Sequence, residues 1–174
     1  MALTFSHLLS EPPSENLCHD SSPVQLQFEF LMKVAADVGE LTSMGGGPLG
    51  ERRVVAITGG SFEGPGLRGA VVPGGADWQI VRGDGAADIQ ARYTIESEAG
   101  ARILVSSEGL RHGPSAVMER LARGDNVDPS LYYFRTVMRF ETADPSVDWL
   151  NRILALARGQ REANAVRLDV YEVT

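Results

Sequence analysis

The sequence predicts an all-β protein whose strands form one closed or nearly closed antiparallel barrel with one short helix. From Arg53 to Gly113, five short β-rich runs each end at a turn that contains glycine. These turns follow one another too closely for crossover helices, so neighbouring strands are expected to be antiparallel. About nine strands are expected, and closing the sheet hides their edges. A barrel of roughly eight to ten strands has room for side chains and one small ligand, as in lipocalins and streptavidin.

The length of 174 residues and the 43% hydrophobic content favour a single compact domain. Residues 9–24 are rich in serine, proline and acidic side chains, which predicts an extended N-terminal arm over residues 1–24. From Gln25, apolar and polar residues alternate through most of QLQFEFLMKVAADV, as in a strand with one solvated face. The barrel domain is therefore expected over residues 25–174.

The elements after this first strand follow from local signals. The segment ELTSMGGGPLGERR is interpreted as a loop, and it lacks the Lys and Ser or Thr of a phosphate-binding loop. One helix is predicted near residues 114–123, between Pro114 and Gly124. The segments LYYFRTVMRFETA and AVRLDVYEV are interpreted as strands. NRILALARG has a helical composition, but a strand is preferred because the Gly159 turn would complete a terminal hairpin.

Charge and composition argue against several kinds of partner. The net charge is -7 and no block is rich in Lys or Arg, which argues against nucleic acid. No apolar run approaches membrane length, so no membrane partner is expected. The single cysteine, Cys18, excludes an internal disulfide and fits a reducing compartment. No basic residue precedes Lys33 and no glycosylation sequon occurs, so a cytoplasmic location is expected.

A set of segments, in a fixed order, resembles a known family. They are GGSFEGPGLRGAVVPGGADWQ, RGDG, ARYTIESEAGARI, SEGLRHG, YYFRTVMRFET and WLNR. Together they resemble the family of domains of unknown function DUF3237, from about Leu26 to Val173. The resemblance implies a closed β-barrel, and no biochemical activity is established for the family at large. One departure is Gln90, where similar sequences tend to carry Asp two residues before the arginine, so no ion pair is carried over to that position.

The segment VVPGGADWQIVRGDG places a carboxylate and an indole side by side. The period-two rule puts Asp77 and Gln79 on one face of the strand and Trp78 on the other. A Gly-Gly turn ahead of the pair would let both border the mouth of one ligand cavity, with Asp77 as anchor and Trp78 as lid. In the alternative, Asp77 accepts backbone hydrogen bonds of the turn and Trp78 fills the core.

The strand ADIQARYTIE supplies two further ligand-binding candidates. Its apolar face, with Tyr93, is expected to point inward. Tyr93 would then donate to a ligand carbonyl or satisfy a buried partner. The alternation of side chains along the strand places Arg92 in solvent, unless the middle of the barrel interior is polar, as in barrels that bind ligands.

Later segments repeat the pattern of polar side chains among apolar ones. Glu108 lies at the SEGLR turn, Tyr133 and Arg135 share one face of YYFRTVMRF, and Asn151 lies beside the next turn. Arg135 is costly if buried unless it meets a carboxylate. It would form either a structural ion pair or a clamp for an anion or carbonyl of a ligand. The candidate partners are Asp77, Glu108 and Glu141.

These candidates predict a barrel that binds a small molecule. The first hypothesis is a cofactor-independent isomerase, dehydratase or cyclase acting on an apolar or aromatic carbonyl compound. Asp77 or Glu108, with a raised pKa, would move a proton while a Tyr or Arg stabilises the resulting oxyanion. The alternatives are a non-catalytic ligand-binding or carrier barrel, and an oligomeric structural unit with a filled interior.

The remaining predictions concern metals and assembly. No metal is expected because the three histidines are scattered and no ligand spacing is present. No serine-hydrolase elbow is present, and no cofactor is expected. A homo-oligomer, most simply a two-fold dimer, is expected because the strands carry more apolar side chains than one interior holds. Leu154 and Leu156 exemplify this excess.

Overall fold

The computed structural model describes residues 23–174, which form a closed antiparallel barrel of eight strands paired in chain order. The predicted all-β barrel with a single short helix is confirmed. The predicted arm over residues 1–24 lies outside the described residues except for its last two positions. The strands are β1 (Phe28–Gly47), β2 (Gly50–Glu63), β3 (Arg68–Val81), β4 (Ala87–Ser97), β5 (Arg102–His112), β6 (Tyr133–Glu141), β7 (Ala155–Arg161) and β8 (Ala165–Val173).

The alternating strand directions give the barrel two different ends. At one end lie the β1–β2, β3–β4 and β7–β8 turns and the long β5–β6 connection, which contains helix α1 (Ser115–Ala122). We call this the helical end. At the opposite end, which we call the packed end, the β6–β7 connection contains a 3-10 helix over Asp148–Arg152. Among the described residues, no helix has the length and apolar character needed to cross a bilayer.

Helix α1 begins and ends where the sequence signals predict. Pro114 occupies its N-cap position, where a missing N–H is no loss. The helix buries Leu121, which packs in a small cluster with Ile89 and Phe134 of the barrel wall. Gly124 follows with a φ of 83°, a left-handed conformation that stops a helix at little cost in glycine. The helix thus covers one side of the helical end.

The main hydrophobic core fills the packed end. Burying a large aliphatic side chain contributes about 1.5–3 kcal/mol, so this half carries much of the stability of the barrel. The side chains come from every strand and from the 3-10 helix, so they tie the whole circumference together. The largest fully buried members are Met32, Ile95, Ile103, Met138, Leu150, Val34, Val105 and Val170.

The Gly-Gly segment, which the sequence predicts to be a turn, lies inside one continuous strand. β3 runs from Arg68 to Val81, and its register against β4 shifts between Val72 and Ala76. A β-bulge forms there because glycine adopts backbone conformations closed to other residues, and Gly74 has a φ of 110°. A Cβ on Gly75 would lie 2.5 Å from the Cβ of Tyr93, so glycine is also needed for close strand approach. The two predicted strands around this segment are therefore one.

Two other predicted boundaries change. The segment predicted as a glycine-rich loop is mostly strand, because β1 continues to Gly47 and β2 begins at Gly50. NRILALARG is a strand only from Ala155 onward. Its first residues, Asn151 and Arg152, belong to the 3-10 helix. The preferred strand is thus confirmed for the second part of that segment.

Candidate active site

A cavity of about 50 Å3 lies inside the barrel, between the packed end and the cluster beside α1. At 10–15 Å3 for each water, this volume is room for roughly four waters. Most of its wall is apolar, as is usual for ligand sites. Seven polar side chains interrupt that wall, and they come from β3 to β7: Asp77, Gln79, Tyr93, Ser107, Arg111, Thr136 and Arg161.

Among the described residues, Asp77 is the only carboxylate on this wall. Alternation along β3 turns Asp77 and Gln79 inward, and the Gln79 side chain donates a 2.6 Å hydrogen bond from Nε2 to Oδ2 of Asp77. The backbone N–H of Gln90, on β4, donates to Oδ1 at 3.1 Å. Burial raises the pKa of Asp77, against the lowering effects of these two hydrogen bonds and of the Arg111 and Arg161 charges. The carboxylate is therefore held in place while its charged form is disfavoured.

Arg111 reaches the same carboxylate through Gln79. Its Nη2 lies 3.5 Å from Oε1 of Gln79, which is itself only 5% exposed. The guanidinium carbon also lies 5.6 Å from the centre of the Phe134 ring, a cation–π distance. Burial lowers the pKa of Arg111, and the Asp77 charge opposes that effect. Arg111, Gln79 and Asp77 thus form a polar chain across β5 and β3.

Three atoms on the cavity wall lack a hydrogen-bond partner among residues 23–174. They are the Tyr93 hydroxyl, Nε of Arg111 and the Thr136 hydroxyl. An unpaired buried donor costs about 1–3 kcal/mol, so their common location is unfavourable for the fold alone. Burial also raises the pKa of Tyr93, which keeps its phenol protonated and able to donate.

Arg161 completes the polar part of the wall from β7. Its Nη1 donates to the backbone carbonyls of Glu162 at 2.5 Å and Ala165 at 3.2 Å. Its backbone N–H donates to the Tyr132 hydroxyl at 2.9 Å. Burial lowers the pKa of Arg161, and the Asp77 charge again opposes this. The side chain is thus fixed at the helical end by neutral acceptors.

Of the predicted site residues, the structure brings only Asp77 and Tyr93 together on this cavity. Tyr93 points inward, as the parity of β4 predicts. Trp78 points outward and is 44% exposed, so it does not border the cavity with Asp77. The reason is the continuous course of β3, because without a turn ahead of the pair the two side chains must alternate.

Three other predicted residues have side chains on the outer surface of the barrel. Glu108, Arg92 and Asn151 line a wide outer groove of about 1090 Å3, which runs over β4, β5, β6 and the 3-10 helix. Asn151 accepts a hydrogen bond from the backbone N–H of Thr142 at 2.9 Å and donates one to its carbonyl at 3.0 Å. Its contacts therefore fasten the 3-10 helix to the end of β6, and Glu108 faces away from the interior.

Tyr133 and Arg135 also lie on the outer face, because β6 alternates strictly and Phe134 takes the inward position. Of the three candidate partners for Arg135, Asp77 is excluded, since the two side chains lie on opposite sides of the wall. Arg135 instead donates from Nη1 to the Phe134 carbonyl at 2.9 Å. Its guanidinium carbon lies 5.1 Å from the centre of the Tyr133 ring.

The site predicted from the sequence did not include Arg111, Arg161, Gln79 or Thr136. Strand parity held a signal for both arginines. In β5, Val105, Ser107 and Arg111 share the inward face, and in β7 Ala155, Ala157 and Arg161 do the same. Both arginines stand at the ends of their strands, where the sequence alone suggests turn residues. Over residues 23–174 no group of three His, Cys, Asp or Glu side chains converges as a metal site would require.

Comparison with known proteins agrees with this fold. A UPF0311 protein of Rhodopseudomonas palustris is 38% identical over 148 residues, which are 85% of this chain and 97% of that protein. Its crystal structure matches with a TM-score of 0.85 over 87% of this chain and 100% of that chain. A β-barrel-like protein from Acinetobacter baumannii is 40% identical, with a TM-score of 0.77 over 88% and 99% of the two chains.

A more distant match is an enzyme from Penicillium herquei, which is 22% identical with a TM-score of 0.68 over 88% of this chain and 98% of that chain. That similarity shows a common fold. The family model for DUF3237, described as a protein of unknown function, matches residues 25–173, which is nearly the whole barrel. The chain therefore belongs to the DUF3237 family, as the order of its segments predicts.

Proposed function

We propose that the barrel binds a small carbonyl compound in the cavity and catalyses acid/base chemistry on it without a cofactor. The observation that carries this proposal is the meeting of one carboxylate with three polar atoms that have no partner among residues 23–174, inside a largely apolar wall. Natural proteins leave few such atoms unpaired, and those that remain concentrate where a ligand completes the hydrogen bonds. The Penicillium herquei enzyme indicates that this fold is compatible with catalysis.

Asp77 is the base in the proposed mechanism. Its carboxylate removes a proton from the carbon next to the substrate carbonyl, and the carbonyl oxygen becomes an enolate oxygen. Because burial raises the pKa of Asp77, the carboxylate is a stronger base than a solvated aspartate. The protonated Asp77 then returns the proton to another position, or to a leaving hydroxyl. Isomerisation and dehydration both begin with this proton removal.

Tyr93 is the group that donates to the enolate oxygen, and Arg111 contributes positive charge to the same wall without a direct contact. The Tyr93 hydroxyl lacks an acceptor among the described residues, so it is free to donate to the developing oxyanion. Arg111 adds positive charge on the same wall, where the low dielectric strengthens its effect. Neither group needs to reorganise during the reaction, because the backbone of β4 and β5 positions both.

The volume of the cavity limits the substrate. A cavity of about 150 Å3 accepts benzene, which is three times the volume present here. An aromatic ring therefore does not fit this arrangement of side chains, and we narrow the substrate to a carbonyl compound, or a carbonyl end, of a few heavy atoms.

Non-catalytic binding is the second candidate function. It is favoured by the two hydrogen bonds that Asp77 already accepts, from Gln79 and the Gln90 backbone. A carboxylate with both oxygens occupied is well placed as a fixed anchor, and it is less free to take a proton. The two candidates share one cavity and differ only in proton transfer.

Deuterium exchange into acetone distinguishes the catalytic function from non-catalytic binding. NMR would follow exchange of the methyl protons in D2O with the wild-type protein, Asp77→Asn and the outward-facing control Glu108→Gln. We expect acceleration over buffer by the wild type and by Glu108→Gln, and a loss of about 10²–10⁴-fold in Asp77→Asn, since that is the usual contribution of a general base. Binding of acetone without exchange would indicate a carrier. Exchange that survives in Asp77→Asn would rule out the proposed base.

A further inference from the structure

The charges inside the helical end do not balance. The cavity wall carries two guanidinium groups, Arg111 and Arg161, and one carboxylate, Asp77, which leaves one positive charge in excess among the described residues. Nearby Arg53 does not change this balance, because its Nη2 forms a 2.5 Å ion pair with Glu51. A buried charge is costly unless a counter-charge accompanies it, and this cost falls mainly on Arg111, because Arg161 is only partly buried.

Asp77 does not form a direct ion pair with either arginine. Its two oxygens accept from the Gln79 amide and the Gln90 backbone, and Arg111 reaches it only through Gln79. Arg161 donates to backbone carbonyls, which are neutral acceptors. Burial also disfavours the charged form of Asp77, and its protonation would increase the positive excess by one. Within residues 23–174, both guanidinium groups thus remain without a carboxylate of their own.

Arg111 is positioned to receive a ligand. Its guanidinium carbon lies 5.6 Å from the centre of the Phe134 ring, and one Nη2–H donates a long, 3.5 Å hydrogen bond to Gln79. Its Nε has no partner among the described residues, although it is fully withdrawn from solvent on the cavity wall. The Nε–H and a neighbouring Nη–H of arginine form the fork that matches the two oxygens of a carboxylate.

We propose that the ligand of this cavity carries a carboxylate, which binds between Arg111 and Arg161 and supplies the missing negative charge. This inference rests on the proposed function in one respect, that the same cavity is the binding site, and it names the class of substrate as a carbonyl compound with an acid group. The anion clamp that the sequence suggested at Arg135 is thereby assigned to the inner arginines.

Acetate and acetamide test the proposal directly. They have the same shape and four heavy atoms each, about the size of the cavity, and they differ in charge. Titrations by calorimetry or NMR would compare them on the wild type, Arg111→Gln, Arg161→Gln and Arg135→Gln. We expect at least tenfold tighter binding of acetate than acetamide by the wild type and by Arg135→Gln. We expect that preference to disappear in Arg111→Gln and to weaken in Arg161→Gln.

The comparison on the wild type needs no variant to fold. Equal affinity for acetate and acetamide would overturn the proposal, and so would binding of neither. An acetate preference that survives both inner substitutions would overturn its location. If acetone exchange depends on Asp77 but acetate is not preferred over acetamide, the proposed catalysis is retained and the carboxylate-binding site is rejected. Acetate preference without exchange would retain the anion site and remove the catalysis.

Discussion

The same strands build two very different halves of the barrel interior. Toward the packed end the inward side chains are Ile95, Ile103 and Met138, all completely buried. Toward the helical end the same strands β4, β5 and β6 present Tyr93, Arg111 and Thr136, each with a polar atom that has no partner in the described part of the chain. The inward face of each of these strands therefore carries an apolar side chain toward the packed end and a polar side chain toward the helical end. The packed end therefore stabilises the fold, and the unpaired polar groups of the helical end destabilise it.

This division has a physical reason. The strands of a closed barrel run continuously from one end to the other, so tight packing at one end also restrains the backbone at the opposite end. Polar groups placed there are held in position without a hydrophobic core around each of them. Unpaired donors each cost about 1–3 kcal/mol, a cost that a site for a ligand tolerates and a purely structural core does not.

Substitution in the packed end should cause the greatest loss of stability. Ile103→Ala should lower the free energy of unfolding by about 2–5 kcal/mol, because it leaves a hole in a fully buried position. Its neighbour Leu104, which is 38% exposed on the outer face, gives the matched control Leu104→Ala, with an expected loss below about 1 kcal/mol. Urea denaturation measures both. Equal losses would mean that the two faces of β5 contribute alike.

The next prediction concerns two tyrosine hydroxyls at the helical end. Tyr93→Phe should leave the free energy of unfolding unchanged or raise it by about 1–3 kcal/mol, because it removes a buried hydroxyl without a partner among the described residues. Tyr132→Phe should lower it by about 1 kcal/mol, since that hydroxyl accepts the Arg161 backbone N–H. Thermal and urea unfolding of the two variants measure these changes in the free energy of unfolding. A loss in Tyr93→Phe as large as that in Tyr132→Phe would contradict the stability cost assigned to the cavity.

The pH dependence of stability isolates Asp77. Burial raises the pKa of its carboxyl above the ordinary value of 3.8, so the folded protein holds this proton more tightly than the unfolded chain. Below pH 3.8 the Asp77 carboxyl is protonated in both the folded and the unfolded protein, so folding does not bury a charge there. As the pH rises from there through the folded pKa, the wild type should lose stability relative to Asp77→Asn. The loss should be about 1.4 kcal/mol for every pH unit that separates the folded pKa from the unfolded one. A difference that stays flat from about pH 3.5 to 7 would show an ordinary pKa.

The smallest expected effect on the fold concerns the outer surface. Leu154 and Leu156 are 47% and 37% exposed, so the apolar excess noted in the sequence does lie outside the barrel. The homo-oligomer stays a prediction, and light scattering at micromolar concentration should give the mass of a dimer. Leu156→Lys should shift that mass toward the monomer with little change in unfolding. A monomeric wild type would remove the prediction.

Local signals in the sequence predict the class of fold and most of the connections between strands. Alternation marked the strands, glycine marked most connections, and Pro114 and Gly124 bounded α1 at both ends. The sequence also determined which face of β4 carries Tyr93, because period-two alternation is set by local backbone geometry. These features depend on neighbours in the chain, so they can be predicted without knowing the rest of the molecule.

Which polar residues meet depends on how the whole barrel folds. The bulge at Gly74 joined two predicted strands into one and left Trp78 outside, since a bulge and a turn share the same glycine signal. Arg111 and Arg161 are 50 positions apart in the chain, and they face Asp77 because the barrel closes and brings strand ends together. Parity gives each strand two faces, but closure and register decide which face is inside and which residues share a level.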